Sequence, residues 1–175
     1  EFYWAAAELY ITTGKETYRS FLSSSPHYRQ VPSSFSQGEP AMTWATTQAL
    51  GTISLAIVPN NLPTAEIEAM RRSIINAADV FVNVVNTQGY GTPLEASRYP
   101  WGSNSFVLNN AIIMALAYDL TRDTRYLNGV VQSMDYLLGR NPMEKSYVSG
   151  YGEQPLQNPH HRFWARQLDP SYPPP

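Results

Sequence analysis

The sequence predicts an all-α fold assembled from paired helices, and three observations carry that expectation. Apolar residues recur at three- and four-residue steps through most of the chain, the period of an amphipathic helix. No stretch reads convincingly as a strand. A Tyr-x-x-Thr-x-x-x-x-Tyr spacing occurs twice, as Tyr10, Thr13 and Tyr18 and again as Tyr118, Thr121 and Tyr126, each time after an alanine-rich helical pattern.

Taken in order, the first two helices are expected over Phe2 to Thr13 and Glu16 to Ser23, with a third over Met42 to Val58. The clearest runs from Thr64 to Thr87. Ile67, Met70, Ile74, Ala78, Phe81, Val82 and Val85 form its apolar stripe, Arg72, Asn76, Asp79, Asn83 and Asn86 its polar face, and Pro63 its entry. A fifth spans Phe106 to Leu120, lined by Ile113, Leu116 and Leu120. The last starts at Asp123 and carries Tyr126, Val130, Met134 and Leu137, with Gly139 as the expected left-handed cap and Pro142 as the stop. That makes about six helices.

The repeated spacing marks a recurring helical hairpin, with the turns TGKE and TRD between its helices. Stacked antiparallel hairpins give either an open solenoid or a closed α/α barrel. In a closed barrel the ligand loops gather at one end.

Composition narrows the function classes. The 175 residues are 43% apolar, enough for a buried core, and only 15% charged, well below the usual share for a globular domain. Twelve Tyr and four Trp make the chain better suited to an uncharged ligand than to phosphate. A net charge of −2 without a Lys/Arg cluster argues against nucleic acid, and no apolar run reaches the length of a membrane span. With no Cys, disulfides and thiolate-metal centres drop out, while the compartment stays open. The chain has no Met start and no signal peptide, and both ends read as cut from something longer.

Three long connections remain, residues 23 to 40, residues 89 to 104, and Asn141 onward. The last two are rich in Tyr, Trp and Gly and are expected to be ordered, ligand-facing loops. In the last, Pro159 biases the chain toward an extended form, so His160 and Arg162 project to one side and His161 to the other. An imidazole beside a five-donor guanidinium suits sugar hydroxyls or an oriented carboxylate. The plainer alternative makes His160 a helix cap or a partner for a core carbonyl. The company of Arg162, Tyr147, Tyr151 and Trp164 favours a site. A zinc centre is disfavoured, because adjacent His160 and His161 chelate one ion poorly and no third ligand lies at the usual spacing.

The stretch SYVSGYGEQPLQNPHHR resembles the histidine signature of glycoside hydrolase family 9 cellulases: small, apolar and small residues, then Gly, then Pro-His-x-Arg after a four-residue gap. YLLGRNPMEKSYVSGYG is similar to that family's approach to the signature, RYPWGSN to its Trp-Gly-Ser loop, and EFYWAAAELYITTGKETY to its helix opening with Glu and Trp-Ala-Ala. The resemblance runs through the whole chain in order. WGSNSFVLNN and HHRFWARQLDPS resemble the branch of clostridial cellobiohydrolases and endoglucanases that carry an immunoglobulin-like module.

The resemblance implies a six-fold α/α barrel of twelve helices, of which this chain holds about half as a partial catalytic domain over residues 1–175, without the N-terminal half and the C-terminal end. It implies inverting hydrolysis of β-1,4-glucan, in which an aspartate of a DAG-type motif activates water and a glutamate beyond the histidine signature protonates the leaving oxygen. No DAG occurs here, and the acid's segment lies past the residues present. The resemblance makes His160 part of the catalytic machinery, and together with Arg162 and His161 it is expected to orient glucosyl hydroxyls. Trp101, Tyr151 and, less directly, Trp44 are expected to meet the sugar rings. Trp44 also fits a core position in its helical pattern, and Trp4 reads as core outright. Glu1 matches a family glutamate that binds structural calcium beside an aspartate; taken by itself it is a surface carboxylate, since calcium needs six to eight oxygens. No cofactor is expected for the chemistry. An extracellular location is implied by the resemblance alone. Two positions depart from the family: Gln154 replaces an Asn, Lys or Arg, and Ser105 stands where many relatives have Arg. The competing reading is a glucan-binding α/α module without chemistry.

Overall fold

The computed structural model describes residues 1–33, 41–157 and 159. The elements are α1 (Phe2–Thr13), α2 (Glu16–Ser24), α3 (Gln48–Ile57), α4 (Thr64–Thr87), a 3-10 turn (Ala96–Arg98), α5 (Ser103–Thr121) and α6 (Thr124–Leu138). Among the described residues there are six α-helices and no strand, only an isolated bridge between Ser146 and Pro155. The chain divides into two compact units, Glu1–Ser133 and Met134–Pro175, with the boundary inside α6.

In the first unit the apolar stripes meet as their periodicity requires. Tyr3, Ala6, Ala7 and Tyr10 of α1 pack with Ala49, Leu55 and Ala56 of α3, Met70, Ile74, Ala78 and Phe81 of α4, and Ile113, Met114 and Ala117 of α5 in one core. Helices α1 and α3 approach closely at Gly51, where a Cβ would stand 2.9 Å from Tyr3 Cε1 and 3.0 Å from Trp4 Cα. Mid-helix glycine costs propensity; here any side chain would push the two helices apart.

The repeated Tyr-Thr-Tyr spacing is one structural joint used twice. Helix α1 ends at Thr13 and Gly14 turns left-handed at φ 64, its N–H donating to Tyr10 O at 2.8 Å. Helix α5 ends at Thr121 and Arg122 does the same at φ 61, its N–H donating to Tyr118 O at 2.7 Å. Each threonine hydroxyl donates one turn back, Thr13 to Leu9 O at 2.6 Å and Thr121 to Ala117 O at 2.7 Å. Each then accepts the amide two residues on, from Lys15 and from Asp123. The threonines close both helix ends, and the next helix starts at once.

Two carboxylates on α4 gather a Tyr and an Arg each. Glu66 binds Arg19 at 2.6 Å and the Tyr28 hydroxyl. Asp79 binds Arg125 at 2.7 Å and the Tyr126 hydroxyl at 2.6 Å. Burial raises the Tyr126 phenol, helped by its hydrogen bond to Asp79, to about 12. Tyr28 is raised as well, by burial first and by Glu66 second.

Several expectations need correction. The helix expected over Met42 to Val58 begins only at Gln48. The Thr43 and Thr46 hydroxyls bond each other at 2.7 Å, and Thr43 Oγ1 also accepts the amides of Ala45 and Thr46. Side chains that capture nearby backbone amides divert the chain from a helix. Trp44 at the tip of this turn is 86% exposed, which removes its core reading. Trp4 is not core outright either: it is 36% exposed, and its indole N–H donates to Glu8 Oε1 at 2.8 Å. Helix α5 starts three residues ahead of Phe106, and α6 ends at Leu138 with Gly139 at φ 142, outside the left-handed helical region expected of its cap.

Candidate substrate-binding loops

Long connections precede α3 and α5, while α1 joins α2, and α5 joins α6, through tight turns. Trp44 precedes α3 and Trp101 precedes α5. Trp101 is 90% exposed. Behind it Gly102 sits left-handed at φ 78 and ψ 17, a conformation that turns the loop sharply into α5. The Ser105 hydroxyl donates to Gly102 O at 2.8 Å and its amide to the same oxygen at 3.0 Å, fixing the first turn.

Both loops are tied to one pair of side chains on α5. Asn110 is fully buried; its Oδ1 accepts the Ala41 amide at 3.2 Å and its Nδ2 donates to Pro93 O at 2.8 Å. Asn109 Nδ2 donates to Met42 O at 2.9 Å. A carboxamide both donates and accepts, so one side chain satisfies an amide of one loop and a carbonyl of the other. The second loop is closed further by the buried Thr92, whose hydroxyl meets the Tyr99 hydroxyl at 2.6 Å, two residues before Trp101. Asn109 and Asn110 were not singled out from the sequence, because polar residues in a helical pattern read as a solvent face.

The second unit builds its own loop. Asn141 is its hub: Nδ2 donates to Tyr136 O and Lys145 O, both at 2.7 Å, and Oδ1 accepts the Met143 amide at 3.1 Å. Ser146 is buried, donates its amide to Gln154 O at 2.9 Å and accepts the Leu156 amide at 2.8 Å. Gly152 passes so close that a Cβ would stand 3.1 Å from Ser146 Cβ. The loop folds back on itself and leaves Tyr151 at its tip, 59% exposed. His160, His161 and Arg162 lie outside the described residues, as does Trp164.

Glu1 is exposed at the start of α1 and caps it with no side-chain bond. It offers two oxygens of the six to eight that calcium takes. Among the described residues no group of three or more His, Asp or Glu side chains gathers, so they do not fit a calcium site. No helix among them is long and apolar enough to cross a membrane.

The chain matches Glycosyl hydrolase family 9 over residues 1–174. It is 48% identical over 190 aligned residues to a cellulose 1,4-beta-cellobiosidase of Acetivibrio thermocellus, covering 100% of this chain and 21% of that protein. It is 41% identical over 178 residues to endoglucanase C of Cellulomonas fimi, covering 100% of this chain and 16% of the relative. The chain thus spans about a fifth or less of these curated relatives. Among solved structures, a metagenome-derived glycoside hydrolase family 9 endoglucanase superposes with a TM-score of 0.79 at 30% identity, over 91% of this chain and 28% of that one. A Bacteroides ovatus family 9 structure gives 0.78 at 29% identity, over 99% and 31%.

Proposed function

The chain belongs to glycosyl hydrolase family 9, and from that premise we propose that it supplies the substrate-orienting part of an inverting β-1,4-glucan hydrolase. The six helices of its described residues are a piece of the (α/α)6 barrel fold. The observation that carries the proposal is the pair of exposed indoles, Trp44 and Trp101, on two loops fastened to a single turn of α5.

A pyranose ring presents apolar C–H faces and a polar rim of hydroxyls. A flat indole covers the face, and neighbouring polar groups meet the rim. Neutral contacts of this kind fit a neutral polymer, and the low charge of the chain agrees. Tyr151 adds a phenol for the same purpose. His160 and Arg162, with His161 beside them, are assigned to hold glucosyl hydroxyls near the scissile bond. Inversion needs a carboxylic acid and a carboxylate about 6.5 to 9.5 Å apart, leaving room for the attacking water. We assign both to parts of a longer catalytic domain. Cellulose is an insoluble polymer that does not enter cells, which supports an extracellular enzyme.

The test is affinity. In the complete catalytic domain, Trp101→Ala should weaken binding of a long cello-oligosaccharide by about tenfold, the loss of one aromatic contact. Unchanged affinity would remove Trp101 from the site.

A further inference from the structure

Resting on that reading, we infer that Asn109 and Asn110 are positioning residues that set the Trp44 and Trp101 platforms as one unit. The two loops are distant in sequence and each is long, and among the described residues no local contact fixes the spacing between their indoles. The α5 carboxamides do. Asn109 holds Met42, two residues before Trp44, and Asn110 holds Ala41 just ahead of it. The clasp of Thr43 with Thr46 then carries that anchor to the indole. On the other side Asn110 holds Pro93, and the Thr92–Tyr99 contact carries the constraint to within two residues of Trp101.

Asn110 is out of a ligand's reach. Its burial is complete, and its two polar atoms serve two different loops. Asn109 is partly buried and touches backbone. Neither meets the sugar in this account; both act through the indoles.

The experiment is a double-mutant cycle on the complete catalytic domain with a long cello-oligosaccharide. Asn109→Ala should raise KM about fivefold, as expected for one lost hydrogen bond, while kcat changes less than twofold. In a Trp44→Ala background the same substitution should leave KM unchanged, because the platform it positions is gone. Asn110→Asp, which keeps the acceptor for Ala41 and loses the donor to Pro93, should couple in the same way to Trp101→Ala. Should that variant fail to fold, the Asn109 cycle decides. A KM raised by Trp44→Ala but untouched by Asn109→Ala, or two effects that simply add, overturns the positioning role and leaves the platforms standing. An unchanged KM in Trp44→Ala removes the platform reading, and this inference with it.

Discussion

The buried carboxamide of Asn110 accepts the backbone amide of Ala41 at 3.2 Å, across 69 positions of sequence. One helix thereby holds a loop that belongs to a different helical pair. Asn110→Ala leaves both the Ala41 amide and the Pro93 carbonyl without their partner. Stability should fall by about 2 kcal/mol, read from the midpoint of urea unfolding at constant slope.

The two equivalent joints carry different residues at the helix cap, Gly14 against Arg122, both left-handed. A residue with a Cβ is disfavoured there by about 1 kcal/mol. Gly14→Ala should therefore destabilise by about that amount. Arg122→Gly should gain about 0.5 kcal/mol, because the relief is partly offset by losing an exposed pair with Asp119 and the contact with the Tyr118 ring. Thermal unfolding of the two variants checks the opposite signs.

Gly51→Ala should cost about 2 kcal/mol or more through overpacking against Tyr3 and the α1 backbone. Gly89→Ala, with nothing within 4 Å of its Cβ, is the control and should change stability little. A Gly51 variant as stable as the control would show that α1 and α3 are not in close contact.

Alkaline unfolding should report the tyrosines. The folded state holds the Tyr126 proton to about 12, above the ordinary value of 10.0, so between these values the native state binds more protons than the unfolded chain. Stability from this group is fully present below pH 10 and is lost as pH rises through about 12. Tyr28, also raised, acts in the same direction. Tyr126→Phe should flatten the alkaline limb of a stability profile; an unaltered limb would show that the phenol is not held by Asp79.

How much could be read in advance follows from where each interaction lies. Helix α4 was legible from Thr64 to Thr87 because its stripe and its entry at Pro63 are local signals. The Tyr-Thr-Tyr joint was legible because helix end, cap and restart lie within nine residues. The core alternative for Trp44 failed because Met42, Ala45 and Ala49 keep helical spacing, while the hydroxyls of Thr43 and Thr46 divert the backbone. Asn109 and Asn110 could not be found at all. Their partners, Ala41, Met42 and Pro93, are near only after the helices pack. Trp101 and Tyr151 were expected on ordered loops, and both stand exposed there. The Pro-His-x-Arg segment was read from its signature and falls outside the described residues.

Reducing-sugar release from carboxymethylcellulose tests the central claim most directly, comparing the complete catalytic domain with residues 1–175 alone. Release by the domain and none by the isolated chain is the predicted result. Sustained turnover by the 175 residues, or none by the complete domain, would contradict it.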